Sequence, residues 1–181
     1  MGAMPWQEMG PWHDDPRESL KELQAKYLAD HYDLPSLIRK HLDSAKEAVR
    51  LTEAKGDRYN LLDVYKGWLE LFERLSTEPL PDDPRARLGI VRQIYESLGE
   101  GIGNVLDVQT ASEKGDLFVA RILTSANLQE LFGTTTPTRE LAEVTLSKLT
   151  PRLDRGESLC LPVYSSQGEP IGWWFAGYSI D

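Results

Sequence analysis

The residue types that carry most enzyme chemistry are few in this chain, and each can be judged by its spacing. His13, His31 and His41 are the only histidines, and none has the four-residue helical spacing of a metal-binding pair. Cys160 is the single cysteine, which rules out an internal disulfide and a zinc knuckle. Its neighbours Leu159 and Leu161 mark it as a small buried apolar residue of a strand, and a His/Cys dyad could arise only through the fold. GEGIGN places glycines at 99, 101 and 103, but a phosphate-cradling loop follows a strand and opens a helix, whereas here a helix precedes it. Thr134, Thr135 and Thr136 stand before Pro137, where a loop and a helix cap at Thr136 account for the clustered hydroxyls. Carboxylates are numerous but fall at helix starts and on solvated faces. The sequence therefore predicts no catalytic residue, no metal site and no cofactor.

Charge narrows the partners. The 181 residues carry 29 acidic and 20 basic side chains, a formal charge of -9 that opposes attraction to phosphate backbones and anionic lipid. The basic residues gather into no stripe: Arg39 and Lys40, Arg85 with Arg87 and Arg92, and Arg152 with Arg155 lie apart among carboxylates. No nucleic-acid partner is expected. No apolar run approaches the roughly 18 residues of a membrane span, and the first residues lack the layout of a secretory signal, so a cytoplasmic protein without a membrane partner is expected. Met1, Gly2 and Ala3 ahead of Met4 read as a cloning remnant.

Any functional group must be held by elements whose starts are written locally. A leader, residues 1–14, carries Trp6 and Trp12 in MPWQEMGPWHDD and shows no structure of its own. Asp15-Pro16 then starts a helix, because aspartate accepts from the first free amides and proline's missing donor costs nothing at the first helical position. Leu20, Leu23, Tyr27 and Leu28 give that helix one apolar stripe. A second helix follows Asp33-Leu34-Pro35 and stops at Gly56, where glycine can turn left-handed. Asp57 caps a third, the most apolar, whose Leu61, Leu62, Val64, Tyr65, Trp68, Leu69, Leu71, Phe72 and Leu75 predict packing on two sides. Asp83-Pro84 opens a fourth with Leu88, Val91, Ile94, Tyr95 and Leu98.

Past Gly99 the texture changes. Residues 102–112 read as a short helix, and residues 116–124, DLFVARILT, as a strand bounded by turn formers. SANLQELF is a brief helix, and another helix follows Pro137. SLCLPVY (158–164) and residues 171–180 are separated by the polar turn SSQGEP and form an antiparallel hairpin. In the last strand Trp173 and Phe175 point one way, while Trp174, Ala176, Tyr178 and Ile180 point the other. Both faces are apolar, which predicts a strand covered on both sides.

The fold class expected is α+β. An N-terminal helical bundle of about four helices, over residues 15–112, packs against a small C-terminal antiparallel sheet with one or two helices, over residues 113–181, and the two form one continuous globular unit.

LPVYSSQGEPIGWWFAGY resembles the closing hairpin of GAF and PAS-type sensor domains, on Leu161, Pro162, Val163, Gly168, Ile171 and Gly172, with the likeness spanning residues 159–180. The resemblance implies an α/β module that senses a small ligand or a partner. Residues 45–75, with helix, Gly56-Asp57 turn and helix, resemble a tetratricopeptide-type helical hairpin. The function expected is that of a non-catalytic intracellular protein acting through protein-protein contacts as an adaptor, regulator or immunity-type inhibitor. A small-ligand sensor built on the C-terminal part and an enzyme of unrecognised type are the alternatives. The partner-binding candidates are Trp6, Trp12, Trp173, Trp174 and Tyr178, large aromatics of the kind that anchor interfaces. A protein partner is expected, with self-association into a homo-oligomer as a further possibility.

Overall fold

The structure, a computed structural model, describes residues 4–179. Residues 1–3, read as a cloning remnant, and Ile180, assigned to one face of the last strand, lie outside the described residues.

The leader is a strand. β1 (Pro5–Pro11) pairs antiparallel with β5 (Pro170–Tyr178), in a register running from Pro5 opposite Tyr178 to Pro11 opposite Gly172. Two prolines and a glycine hide it from a propensity reading, but β1 is the outer strand of the sheet, where proline's missing donor is tolerated. The hairpin partner of β5 is β4 (Ser158–Tyr164), which lies on its other side. Beyond β4 come β3 (Val119–Ile122) and β2 (Thr110–Ser112), giving the order β1-β5-β4-β3-β2.

The sheet is mixed, which corrects the antiparallel expectation. β1 and β4 run antiparallel to β5, but β3 is parallel to β4 and β2 is parallel to β3. The cause is the crossover: α5 (Ser125–Phe132) and α6 (Arg139–Leu149) carry the chain from the end of β3 back to the start of β4. The short helix expected over residues 102–112 is reduced to a 3₁₀ turn, Val105–Asp107, and its last three residues form β2. Residues 113–118 return the chain for parallel pairing by left-handed backbone at Gly115 (φ 63°) and Phe118 (φ 62°).

Six α-helices are present among the described residues. α1 (Pro16–His31) starts where Asp15 accepts from the Arg17 amide at 2.9 Å, and α2 (Leu34–Lys55) where Asp33 accepts from the Ser36 amide. α2 ends at Gly56, whose φ of 82° is positive, as glycine allows, with a ψ of 141° that lies outside the left-handed helical region. α3 (Leu62–Thr77) begins with both oxygens of Asp57 bound, to the amides of Leu61 at 2.7 Å and Leu62 at 3.1 Å. α4 (Pro84–Leu98) is capped by Asp83 on the Ala86 amide at 2.8 Å. The cap of α6 is Thr138, not Thr136. Pro137 is held instead beside β4, its carbonyl accepting from the Tyr164 amide, which delays the first helical turn by two residues.

Two compact units result: one takes the chain up to Leu28 and from Gly99 onward, the other is Ala29–Leu98. The expected bundle of about four helices is corrected accordingly, since α1 as far as Leu28 belongs with the sheet and the helical unit is built on α2, α3 and α4. In the sheet unit, α5 and α6 cover one face, where Leu128, Phe132, Ala142 and Leu146 meet Leu159, Leu161, Val163, Trp174 and Ala176. On the other face α1 comes so close to β1 that a Cβ on Gly10 would lie 2.5 Å from Ser19 Oγ. Buried Gln24 of α1 donates from its amide to the carbonyls of Val105 at 2.9 Å and Val108 at 2.6 Å, which ties the helix to the 3₁₀ turn.

The helical unit has a core of Ile38, Ala45, Phe72, Leu75 and Ile94. α3 is not packed along both sides as its composition predicts. Phe72 and Leu75 are its only fully buried residues, and both belong to its C-terminal half.

Candidate functional site

The aromatic residues singled out by sequence sit along the β1-β5 seam, and alternation divides them between the two sheet faces. Trp174 belongs to the α5/α6 face; it is 6% exposed, its Nε1 donates to Gln7 Oε1 at 3.2 Å, and the Arg139 guanidinium lies 6.0 Å from its ring. Trp173, 7% exposed, belongs to the opposite face. Its Nε1 donates to the His13 carbonyl at 2.8 Å, and the Trp12 ring stacks on it with centroids 5.7 Å apart and planes 3° from parallel. Trp6 lies over Gly177, where a Cβ would come within 2.5 Å of the indole. Tyr178 ends β5 and lines a small cleft with Trp6, Phe118 and Gly156. The structure thus gathers Trp12 and Trp173 in one stack, places Trp6 against the same strand, and separates Trp174 from them by the sheet. Both indole donors of the tandem pair are spent inside the chain, which leaves them as packing groups.

The residues with catalytic potential do not converge. His13 Nε2 lies 2.9 Å from Glu22 Oε2 on the surface, while the His41 ring stacks on Phe72 at 5.4 Å in the other unit. Cys160 is fully buried, and burial pushes its thiol far above the usual range, so no thiolate nucleophile is available. The glycine-rich loop is occupied from within: Asp107 accepts from the Ile102 amide at 2.9 Å and the Gly103 amide at 2.8 Å, so its own carboxylate sits where a phosphate would. Thr134 and Thr136 share a hydroxyl contact at 3.3 Å in an exposed turn. Carboxyls held below their ordinary range are explained by surface partners, Asp15 by Arg17, Asp33 by Ser36, Glu47 by Arg50, and Glu140 by its own backbone amide and Thr138. They occupy caps and helix surfaces rather than a shared cleft. No group of three or more metal-ligating side chains occurs among the described residues, and no helix among them is long and apolar enough to cross a membrane.

The space between the terminal hairpin and α6, where a ligand-sensing module would need its cavity, is filled by the side chains of the first core. An open groove of 290 Å³ lies instead beside the β2-β3 loop, with exposed Lys114, Asp116, Arg121 and Glu157 of mixed sign along it. The hydroxyl of Ser158, which also lines this groove, is buried without a hydrogen-bond partner.

The most unusual surface lies on the helical unit. The apolar stripe of α3 runs through Leu61, Val64, Tyr65, Trp68, Phe72 and Leu75, and its cover fails toward the N-terminal end. Phe72 and Leu75 are buried, Tyr65 and Trp68 half-buried, Leu61 37% exposed and Val64 46% exposed. Tyr59, in the turn just before, is 73% exposed, with the Arg58 guanidinium 5.8 Å from its ring. Trp68 Nε1 donates to the carbonyl of Ser97 at 2.8 Å, and α4 ends one residue later at Leu98, while Leu61 and Val64 lie before that point of attachment on the α3 side.

Sequence reasoning listed Leu61 and Val64 as core and missed this surface. The available signal was position: Leu61 and Val64 open the stripe at the helix start, next to the polar turn that holds Arg58 and Asn60. No protein-family model matches the chain, and no curated protein or solved structure matches it either.

Proposed function

We propose that the protein is a non-catalytic adaptor, regulator or inhibitor that acts by binding another protein, and that the exposed start of α3 with the turn before it is its docking face. The observation that carries this reading is the exposure of Tyr59, Leu61 and Val64, three large apolar groups left in water within six residues of chain, from the turn before α3 into its first turn. A lone exposed apolar side chain is ordinary; several close together are the form in which interfaces are presented. The chemistry-bearing residues support the same reading, because they are engaged in caps, stacks and core packing. A ligand-sensing reading would need room under the terminal hairpin, and that room is filled.

The test is capture from native lysate with the parent chain and with Val64→Asp, a substitution at an exposed position that leaves the core untouched. The expected result is a stoichiometric protein held by the parent and lost by the variant, with equal thermal midpoints for both baits. If the same proteins are held by both, or none by either, the docking face is wrong.

A further inference from the structure

Gly177 stands in the middle of a row that crosses three strands. It is opposite Trp6 of β1 on one side and Ser158 of β4 on the other. Directly opposed residues share a sheet face, so Trp6 and Ser158 flank the glycine on one face, while the next pair, Leu159 and Ala176, joins the core under α5 and α6 on the other. The missing side chain leaves a notch. A Cβ at Gly177 would lie 2.5 Å from Cζ2 and 2.7 Å from Cε2 of the Trp6 indole, and 3.0 Å from the Glu157 carbonyl oxygen. Trp6 and Ser158 line a common cleft there, with a volume of about 10 Å³.

The groups around this cleft have hydrogen-bonding capacity that the fold does not spend. Ser158 is more than nine-tenths buried, and its Oγ meets no donor or acceptor among the described residues. Trp6 Nε1 is bonded to the Cε2 that lies over Gly177, and it too has no partner among them, whereas the indoles of Trp68, Trp173 and Trp174 each donate to one. The Ser179 hydroxyl, also on the cleft, accepts from the Met4 amide at 2.8 Å and keeps its own proton to donate. We infer that the cleft is a binding site for one ordered water molecule, which accepts from Trp6 Nε1, bonds Ser158 Oγ and so links β1 to β4 across Gly177. The volume is that of a single water and excludes an organic ligand or a hydrated ion. A water is held by two to four polar partners, and Trp6, Ser158 and Ser179 supply three. Any side chain at 177 would fill the place, so the glycine in a covered strand is accounted for by the same site.

The full chain and its Ser158→Ala variant test the inference. In a high-resolution crystal structure of the parent, one solvent peak is expected at hydrogen-bond distance, about 2.6–3.2 Å, from both Ser158 Oγ and Trp6 Nε1. In urea unfolding followed by near-ultraviolet circular dichroism, Ser158→Ala is expected to lower the midpoint, because it deletes a hydroxyl whose bond is made. A hydroxyl buried without any partner gives the opposite sign, since removing it relieves a desolvated polar group. A raised or unchanged midpoint, a cleft without solvent density, or a Ser158 Oγ bonded to a protein group instead would each overturn the inference. Should Ser158→Ala fail to fold, the density beside Ser158 in the parent decides alone.

Discussion

Replacing Trp173 and Trp174 by alanine, one at a time, tests the two faces of β5 separately. Each side chain is more than nine-tenths buried. An indole hides on the order of 150–250 Å², and at about 25 cal/mol per Å² that is worth roughly 4–6 kcal/mol, an upper figure because the unfolded chain already buries part of it. Measured losses for buried tryptophan-to-alanine changes, about 3–5 kcal/mol, fall in the same place. Secondary contacts differ between the faces. Trp173 also loses its stack on Trp12, about 0.5–1.5 kcal/mol, while Trp174 loses the Arg139 cation, about 0.5–1 kcal/mol at a partly exposed site. The expectation is therefore a comparable loss of about 3–5 kcal/mol for each variant, which corresponds to a fall in melting temperature of roughly 6–20 °C in a chain of this size. Because the chain forms two compact units, the unfolding must be followed by a probe of the sheet unit, such as near-ultraviolet circular dichroism of the stacked indoles, as well as by far-ultraviolet signal. Trp173→Phe serves as a control: it keeps most of the ring and removes only the donor to His13, at about 1 kcal/mol. Urea midpoints equal to the parent's for both alanine variants would refute the placement of β5 inside the sheet unit.

Three further outcomes follow from the same geometry. Deleting residues 1–13 removes β1 and the Trp12 stack, leaves β5 as an edge strand, and should lower the melting temperature by more than about 5 °C; an unchanged midpoint would mean that the seam contributes nothing. Thr138→Ala should cost about 1 kcal/mol in urea unfolding as the loss of an N-cap, whereas Thr136→Ala should stay within about 0.5 kcal/mol, and the reverse order would return the cap to Thr136. Cys160, buried and with its thiol pushed up by burial, should react with a disulfide reagent only as fast as the sheet unit opens; prompt labelling of the native protein would show that the thiol is reachable.

What was legible in the sequence was what neighbouring residues decide. Asp15-Pro16, Asp33 with Pro35, and Asp83-Pro84 announce helix starts because the cap and the capped amide lie within three residues of each other. The hairpin of β4 and β5 is local too, joined by one turn, and so the alternation of Trp173 and Trp174 could be read without the fold. β1 was not legible because its partner is at the other end of the chain and its prolines and glycine argue against a strand until it is known to lie at an edge. The parallel pairing of β3 and β4 depends on where α5 and α6 return the chain, and the choice of Thr138 over Thr136 depends on Tyr164 holding Pro137. The exposed end of α3 failed for a similar reason: burial of Leu61 and Val64 depends on what packs over the start of the helix, and no property of α3 itself encodes that.

The magnitudes at that exposed end decide what kind of binding it can support. Fully burying one large aliphatic or aromatic side chain yields roughly 1.5–3 kcal/mol, and Tyr59, Leu61 and Val64 retain between 37% and 73% of their surface in water. Covering all three is therefore worth only about 2–4 kcal/mol, no more than the low end of the roughly 4–15 kcal/mol lost when two bodies become one. Apolar contact alone cannot hold a partner there. Ion pairs at the surface add only about 0.2–1 kcal/mol each, so a partner held in a lysate must also bury side chains beyond these three.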